Sequence, residues 1–122
     1  MKRKRILIVD DDPRNIFALK ATLIAAGYLC EACASATEAI TILCSDTAFD
    51  AVLIDMMMPD IDGYEAIPLI RNLDSMKAIP IIAVTAQAMK GDRQKCLDAG
   101  ADDYISKPVD VDRLLHILAS LK

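Results

Sequence analysis

The strongest structural signal in the sequence is the stretch AVLIDMMMPDIDGYE, residues 51–65. Its first four residues are apolar without alternation, which is typical of a parallel strand that is covered on both faces. A carboxylate, Asp55, follows them directly. A charge at the end of a buried run predicts a polar site at the carboxyl edge of a parallel sheet.

Four more runs of β-forming residues accompany this strand, and helical patterns separate them. In chain order the five predicted strands are RILIV (5–9), YLCEACA (28–34), AVLI (51–54), PIIAVT (80–85) and DYIS (103–106). Their alternation with helices predicts a single α/β domain over residues 1–122, a doubly wound (βα)5 unit. We expect a parallel five-stranded sheet in the order 2-1-3-4-5, as in a flavodoxin-like three-layer sandwich.

Capping residues mark three of the helix starts. Asp12 before Pro13 predicts the start of the first helix, because the side chain can accept a backbone N–H and proline suits the first turn. Ser35 and Glu38 have the spacing of a capping box for the second helix. Asp110 is the predicted cap of the last helix.

The third predicted helix contains a proline, Pro68. A start near Glu65 would place its missing N–H among the unpaired donors of the first turn, whereas a start near Gly63 would make the proline a kink. The fourth helix is predicted from Met89 to Ala99. Neither prediction affects the order of the strands.

Composition limits the classes of protein to which the chain can belong. At 122 residues, with 54% hydrophobic and 26% charged residues, it has the size and make-up of one globular domain. A net charge of −4 argues against a nucleic acid or an anionic membrane as its main partner. No apolar run approaches the roughly 18–20 residues of a membrane span, and no signal peptide is visible, so we expect a cytoplasmic protein.

The cysteine pattern does not indicate a metal or redox site. Cys30 and Cys33 form a C-x-x-C pair, but no second pair follows and the single histidine, His116, lies in a distant helical pattern. On a strand, residues three apart face opposite sides. We therefore interpret the pair as small buried hydrophobic residues.

Polar side chains follow four of the five predicted strands. Asp10 and Asp11 follow the first strand, and Asp55 follows the third strand. Thr85 is the last residue of the fourth strand, and Lys107 follows the fifth strand. In an open α/β sheet these ends surround one crevice. Two like charges at ~4 Å repel by about 4 kcal/mol at an effective dielectric constant near 20, so three carboxylates against one lysine need a cation or raised pKa values.

Magnesium suits such a cluster better than zinc does. Carboxylates, a backbone carbonyl and water are the ligands that Mg²⁺ prefers, whereas thiolates and imidazoles are missing from these strand ends. The ion would let Asp55 attack phosphorus as a carboxylate nucleophile. Lys107 and the Thr85 hydroxyl would pair with oxygens of the transferred group.

Each of these residues also has an ordinary structural interpretation. An aspartate after a strand is often only a helix cap, the role assigned to Asp12. Lys107 before Pro108 fits a loop, and Thr85 fits a β-branched strand residue. The run of methionines at 56–58 fits loop packing, not a cofactor site. The functional interpretation depends on several such residues falling at strand ends together.

Four segments carry a resemblance to a known family. They are ILIVDDDP (6–13), LIDMMMPDIDGYE (53–65), PIIAVTA (80–86) and AGADDYISKPVD (99–110). In this order and spacing they resemble a response-regulator receiver domain, similar to the chemotaxis regulator fold, over essentially the whole chain. DDDPRN (10–15) and residues 88–110 look more like receivers of hybrid sensor histidine kinases than like those joined to DNA-binding domains.

The resemblance implies a role in a two-component phosphorelay for the acidic residues. Asp55 would accept a phosphoryl group from a histidine kinase or a histidine phosphotransfer domain. Asp11, Asp55 and the backbone carbonyl of Met57 would bind Mg²⁺ directly, and Asp10 would act largely through water. The chain would be a signalling phosphoacceptor and not an enzyme, with an output domain or protein that the sequence does not identify.

The resemblance also assigns a switch. Thr85 and Lys107 correspond to the phosphate-sensing pair, and Lys107–Pro108 resembles the cis peptide of the family. Tyr104 matches the switch aromatic, which would turn into the space that the Thr85 hydroxyl vacates. Packing in the core is the alternative interpretation of Tyr104.

Three other functions fit parts of the pattern. An Mg-dependent aspartyl-nucleophile phosphatase would carry a second carboxylate two residues after the nucleophile, where this chain has Met57. A flavodoxin-like cofactor binder would need a hydroxyl- and glycine-rich loop after the first strand, and DDDPRN would repel its phosphate. A pseudo-receiver that only binds a partner has no need of the full acidic set with Thr85 and Lys107.

Overall fold

The computed structural model describes residues 3–45, 48–58, 61–73, 78–86 and 91–120. Five strands and five helices alternate along this part of the chain. In order they are β1 (Arg5–Val9), α1 (Pro13–Ala25), β2 (Leu29–Cys33), α2 (Ala36–Ser45), β3 (Ala51–Asp55), α3 (Gly63–Arg71), β4 (Ile81–Thr85), α4 (Asp92–Ala99), β5 (Asp103–Ser106) and α5 (Val111–Ala119).

The five strands form one parallel sheet in the order β2-β1-β3-β4-β5, as the sequence predicts. The predicted bounds of β1 and β5 are confirmed, β2 and β4 are slightly shorter than predicted, and β3 extends to include Asp55. In the register of β1 with β3, Val9 lies opposite Ile54. Asp10, which follows β1, and Asp55, the last residue of β3, therefore lie at the same level on adjacent strands.

Helices cover both faces of the sheet, and alternate strand residues divide between two cores. Val52 and Ile54 pack with α2, α3 and α4 on one face. Leu53 packs with α1 and α5 on the other face. Every residue of β3 and β4 is buried, which explains the apolar sequence of their first four residues, AVLI and IIAV. Burial of each such leucine or isoleucine contributes about 1.5–3 kcal/mol, so the central strands form a stable support for the loops at their ends.

Helix caps follow the predictions at three starts. Asp12 accepts the Arg14 N–H at 2.9 Å and caps α1. The Ser35 hydroxyl accepts the Glu38 N–H at 3.1 Å, and Glu38 reaches back to the N–H of Ala34 at 3.2 Å. The predicted cap of α5 is also confirmed, since Asp110 accepts the backbone N–H of Arg113 at 3.2 Å. The predicted start of the fourth helix, Met89, lies outside the described residues.

Of the two starts considered for α3, the structure has the earlier one. The helix begins at Gly63, with Asp62 as its cap, so Pro68 lies inside it. A Cβ at position 63 would lie 2.2 Å from the Met56 Sδ, so this close approach requires glycine. Packing of the helix start against the loop after β3 sets the boundary, and Pro68 is tolerated on the exposed side of the helix.

The cysteine interpretation is confirmed in its main point. Cys33 is buried in the core on the α2 side, and Cys30 is half-buried against the core on the α1 side, so the pair faces opposite ways. Met56 and Met58 are buried and Met57 is exposed, as expected for methionines that pack a loop.

No helix within the described ranges is long and apolar enough to cross a membrane.

Candidate functional site

Three carboxylates meet at the carboxyl end of β1 and β3. One oxygen from each of Asp10, Asp11 and Asp55 lies within 4.8 Å of the others. Asp10 and Asp55 are 2% and 4% exposed, whereas Asp11 is open to solvent. The side-by-side placement of β1 and β3 brings these residues together, although they are more than forty positions apart in the sequence.

Backbone amides orient the two buried carboxylates. The Asp12 N–H donates to Asp10 Oδ1 at 2.9 Å, and the Met57 N–H donates to Asp55 Oδ1 at 2.9 Å. In both cases an aspartate accepts from the residue two positions ahead, the pattern of an Asx-turn. The sequence analysis did not assign these donors, although the Asx-turn preference of aspartate at strand ends is a signal that could have suggested them.

Among the described residues, Lys107 brings a positive charge against this cluster. Its Nζ lies 3.3 Å from Asp55 Oδ2 and 3.7 Å from Asp10 Oδ2. The backbone N–H of Lys107 donates to the Thr85 carbonyl at 2.7 Å, which ties the loop after β5 to the end of β4. The peptide bond between Lys107 and Pro108 is cis, as predicted.

The balance of charge in the cluster is negative. Burial raises the pKa of Asp10 above its usual value, and the negative charge of Asp55 acts in the same direction. The Asp12 N–H and the Lys107 ammonium oppose this rise in pKa only in part. Three carboxylates, whose ligand atoms are oxygens, together with one ammonium group among the described residues fit a hard divalent cation such as Mg²⁺.

Thr85 and Tyr104 lie on the neighbouring strands. Thr85 is fully buried at the last position of β4, and Tyr104 lies opposite Ala83 in the register of β4 with β5. Tyr104 is half-buried and packs against the core on the α3 and α4 side. Its carbonyl accepts from Arg113 Nη2 at 3.2 Å. The roles of the hydroxyl and the aromatic ring in switching stay predictions.

A cavity of about 200 Å³ adjoins the cluster between α1 and α5. Asp10 and Lys107 line it on the side of the carboxylates, and Ala18 and Thr22 of α1 line it on another side. Its remaining walls are mostly apolar. The cavity therefore lies directly beside Asp10 and Lys107, on the side of the cluster that faces α1.

The sequence matches the family model for the response regulator receiver domain over residues 6–119. The histidine kinase BarA of Escherichia coli is 38% identical over 117 residues, which is 96% of this chain and 13% of that protein. The sensor histidine kinase RcsC of Salmonella typhi is 40% identical over 114 residues, 93% of this chain and 12% of that protein. The chain thus spans a small part of these kinases.

Shorter relatives match along nearly their whole length. The polar-differentiation response regulator DivK of Brucella anthropi is 33% identical, with 96% of this chain and 94% of that protein aligned. The receiver domain of a Pseudomonas aeruginosa sensor histidine kinase, solved with a magnesium ion in its active site cleft, is 37% identical, with a TM-score of 0.89 and 98% of each chain covered. CheY4 of Vibrio cholerae is 27% identical, with a TM-score of 0.91 and coverage of 99% and 100%.

Proposed function

Because the chain belongs to the response regulator receiver domain family, we propose that it receives a phosphoryl group on Asp55 in a two-component phosphorelay. The donor is the phosphohistidine of a histidine kinase or a histidine phosphotransfer domain. The observation that supports this proposal most strongly is the meeting of three carboxylates with Lys107 at 3.3 Å from Asp55. Receivers of the same kind occur in the hybrid kinases that the chain resembles.

In the proposed transfer, a carboxylate oxygen of Asp55 forms a bond to phosphorus as the bond to the imidazole nitrogen breaks. The electron pair of that bond returns to the imidazole, and the product is an acyl phosphate on Asp55. The Met57 N–H holds Oδ1 at 2.9 Å, so Oδ2, which faces Lys107, is the oxygen that we assign as the nucleophile. Lys107 would then stabilise the oxygens of the transferred group.

The residues that would hold Mg²⁺ are Asp11, Asp55 and the backbone carbonyl of Met57, with Asp10 acting largely through water. When bound, the ion would offset the negative charge that otherwise repels an incoming phosphoryl group. Carboxylate ligands and the negative balance of the cluster support this assignment. The related Pseudomonas receiver, which has a magnesium ion in its cleft, supports it independently.

The proposed output is a change in shape near β5. After phosphorylation the Thr85 hydroxyl would turn toward the phosphoryl group, and Tyr104 would move inward into the vacated space. Tyr104 is half-buried at the edge of the core, on the strand next to Thr85, which supports a ring that can take a second position. Replacement of Tyr104 by alanine should leave labelling intact and weaken phosphorylation-dependent partner binding; equal partner affinity in both proteins would argue against the switch.

The remaining parts of the proposal concern location and partners. We propose a cytoplasmic protein that meets its donor and its output domain or protein through protein contacts. Direct contact with nucleic acid or with a membrane is not part of this function. The net charge of −4 supports that restriction, because it disfavours polyanionic surfaces.

Chemical labelling tests the assignment of Asp55. Incubation with acetyl phosphate and Mg²⁺ should add one phosphoryl group, detected by intact-protein mass spectrometry, and Asp55→Asn should abolish the addition. Asp98→Asn, which replaces an exposed carboxylate on α4, is the matched control and should label as the wild type does. Unchanged labelling of Asp55→Asn would contradict the assignment, and a wild type that never labels would favour a pseudo-receiver.

The same experiment separates the receiver from a phosphatase. An aspartyl-nucleophile phosphatase would turn over many small phosphate esters per molecule of protein. Met57 occupies the position where that class carries its general acid, so we expect stoichiometric labelling without such turnover.

A further inference from the structure

The cavity between α1 and α5 has the size and the lining of a site for a small apolar group. Its volume is about 200 Å³. Apolar side chains from both helices, from β4 and from the loop after β5 form most of its wall; they are Leu19, Val84, Val109, Val111 and Leu114. Since an apolar protein cavity of about 150 Å³ can hold benzene, this cavity has room for one six-membered ring with a short substituent.

Asp10 brings a carboxylate oxygen with an open acceptor position to the wall of this cavity. The residue lines the cavity and is almost fully buried. Its Oδ1 accepts the Asp12 N–H at 2.9 Å, whereas its Oδ2 lies 3.7 Å from Lys107 Nζ, too far for a hydrogen bond. Among the described residues, Oδ2 therefore accepts no hydrogen bond. A buried acceptor without a donor costs free energy, which a ligand that donates to Oδ2 would recover.

The charges around Asp10 favour a ligand with a positive charge. Among the described residues, an ammonium group at Oδ2 would meet the three carboxylates of the cluster and the one ammonium group of Lys107. Attraction would therefore exceed repulsion, and the reverse would hold for a ligand with a carboxylate group. A neutral hydroxyl group would gain only an ordinary donor's share of the interaction, because hydrogen bonds between two charged groups are stronger.

Two further polar residues of α1, Asn15 and Thr22, line the same cavity. Their side chains contain an amide carbonyl oxygen and a hydroxyl oxygen, both of which can accept hydrogen bonds. A primary ammonium group has three N–H donors, so it can donate to such acceptors as well as to Asp10. A tertiary ammonium group has a single donor and would leave these acceptors without a partner.

We propose that this cavity binds a small primary amine whose apolar part is a single ring or a branched alkyl chain, with the ammonium group on Asp10 Oδ2. The apolar part lies between α1 and α5, against Leu19 and Leu114. This binding goes beyond phosphoryl transfer and does not require modification of Asp55.

The amine and Mg²⁺ should oppose each other's binding. With Mg²⁺ at the proposed cation site, its two charges and that of Lys107 would balance the three carboxylates, so the attraction for an ammonium group would fall. Because coupling between two ligands is reciprocal, the amine should weaken Mg²⁺ binding by the same factor. The opposition rests on the proposed cation site, whereas binding of the amine alone does not.

Benzylamine and three matched compounds test the nature of the ligand. Benzyl alcohol keeps the ring without the charge, benzoate reverses the charge, and methylamine keeps the ammonium group without the ring. Titrated into the ¹⁵N-labelled chain without divalent cations, benzylamine should shift the amide signals of Ala18, Thr22 and Val109, which line the cavity. It should bind at least tenfold more tightly than each of the other three compounds.

Variants of α1 test the place of binding. Ala18 lines the cavity at an exposed position, so Ala18→Leu should fill part of the cavity without disturbing the core and weaken benzylamine binding at least tenfold. Ala21→Leu, at an exposed position of the same helix outside the cavity lining, is the control and should bind benzylamine as the wild type does. Asp10→Asn should weaken binding of benzylamine at least tenfold and leave binding of benzyl alcohol unchanged.

Competition and labelling complete the test. Saturating Mg²⁺ should weaken benzylamine binding at least threefold. No shift at millimolar benzylamine, equal binding of benzylamine and benzyl alcohol, no effect of Ala18→Leu, or an unchanged affinity once Mg²⁺ has shifted the signal of Asp11 would each overturn the proposal. Absence of benzylamine binding together with normal labelling by acetyl phosphate would overturn this proposal alone, whereas normal binding without labelling would overturn only the phosphoacceptor role.

Discussion

The two ends of the sheet differ in how their charged side chains are paired. At the carboxyl end, Asp10, Asp11 and Asp55 share the ammonium group of Lys107. At the amino end, one arginine, Arg71, is surrounded by acceptors. The same parallel sheet thus has three carboxylates around one ammonium group at one end, and at the other an arginine whose donors meet acceptors.

The contacts of Arg71 join three parts of the fold. Its Nε and Nη2 donate to the Gly100 carbonyl at 3.1 and 2.7 Å, and Nη1 donates to the Ile79 carbonyl. Nη2 also pairs with Asp102 Oδ2 at 2.8 Å, and the same oxygen accepts the Ile81 N–H at 2.8 Å. The end of α3 is therefore tied to the segments that enter β4 and β5.

The difference separates a residue that stabilises the fold from residues that we propose to bind a cation. A planar guanidinium that fills its donors with carbonyls and a carboxylate holds the structure without any further partner. Three carboxylates that share one ammonium group cost free energy in the isolated chain, and a bound cation recovers that cost. Substitutions at the two ends should therefore change stability in opposite directions.

The largest effect on stability is expected at the amino end. Arg71→Ala should lower the free energy of unfolding by about 2–3 kcal/mol, because buried carbonyls and Asp102 lose a charged donor. Urea denaturation measures this change, and Arg93→Ala, at an exposed arginine of α4, is the control that should change little. Labelling of Asp55 should persist in the folded variant. A free energy of unfolding within about 0.5 kcal/mol of the wild-type value, the size of an ordinary surface effect, would contradict the stabilising role of Arg71.

A smaller effect of opposite sign is expected at the carboxyl end. Without divalent cations, Asp10→Asn should raise the free energy of unfolding by about 1 kcal/mol, because one like charge leaves the cluster. The asparagine oxygen can still accept the Asp12 N–H, so the turn is kept. The same variant should bind Mg²⁺ at least tenfold more weakly. A loss of stability comparable to that of Arg71→Ala would contradict the idea of an excess negative charge.

The smallest effect concerns a residue at the carboxyl end that lies outside the cluster. Cys33 ends β2, and burial raises its pKa from 9.0 to about 11. At pH 9 iodoacetamide should modify the exposed Cys44 much faster than Cys33, as measured by peptide mass spectrometry. Equally rapid modification of both cysteines would show that the end of β2 is open to solvent.

The raised pKa of Cys33 also predicts a dependence of stability on pH. The unfolded chain loses the thiol proton near pH 9.0 and the folded chain near pH 11. The folded state therefore binds more protons between these values, and the free energy of unfolding should fall as the pH rises through this window. Cys33→Ala should reduce this part of the decline.

Sequence patterns predict the elements well and the long-range contacts poorly. Short runs of β-forming residues locate β1 and β5 at their observed bounds, and capping residues such as Asp12 and Asp110 mark helix starts because their signals are local. The start of α3 depends on the contact of Gly63 with Met56, and Arg71 meets Asp102 across 31 positions. Neither contact leaves a periodic signal in the chain.

In the candidate site, too, local sequence signals were predictable and contacts between distant residues were not. Its carboxylates were predictable because each one follows a strand, and the order of the strands brings the ends of β1 and β3 together. The oxygen of Asp55 that faces Lys107 could not be predicted from spacing, because the Met57 amide selects it. The high exposure of Phe17 could not be predicted from the sequence either, because it depends on how α1 lies against the sheet.

The central claim is that Asp10, Asp11 and Asp55 form one site for a divalent cation. Its most direct test is the free energy of unfolding, measured by urea denaturation at increasing Mg²⁺ concentration. Above the dissociation constant the wild type should gain about 1.4 kcal/mol for each tenfold rise in Mg²⁺. Asp10→Asn, Asp11→Asn and Asp55→Asn should each need at least tenfold more Mg²⁺ to reach the same gain in free energy, whereas Asp98→Asn should respond as the wild type does. An identical response to Mg²⁺ in the wild type and all four variants would contradict the claim.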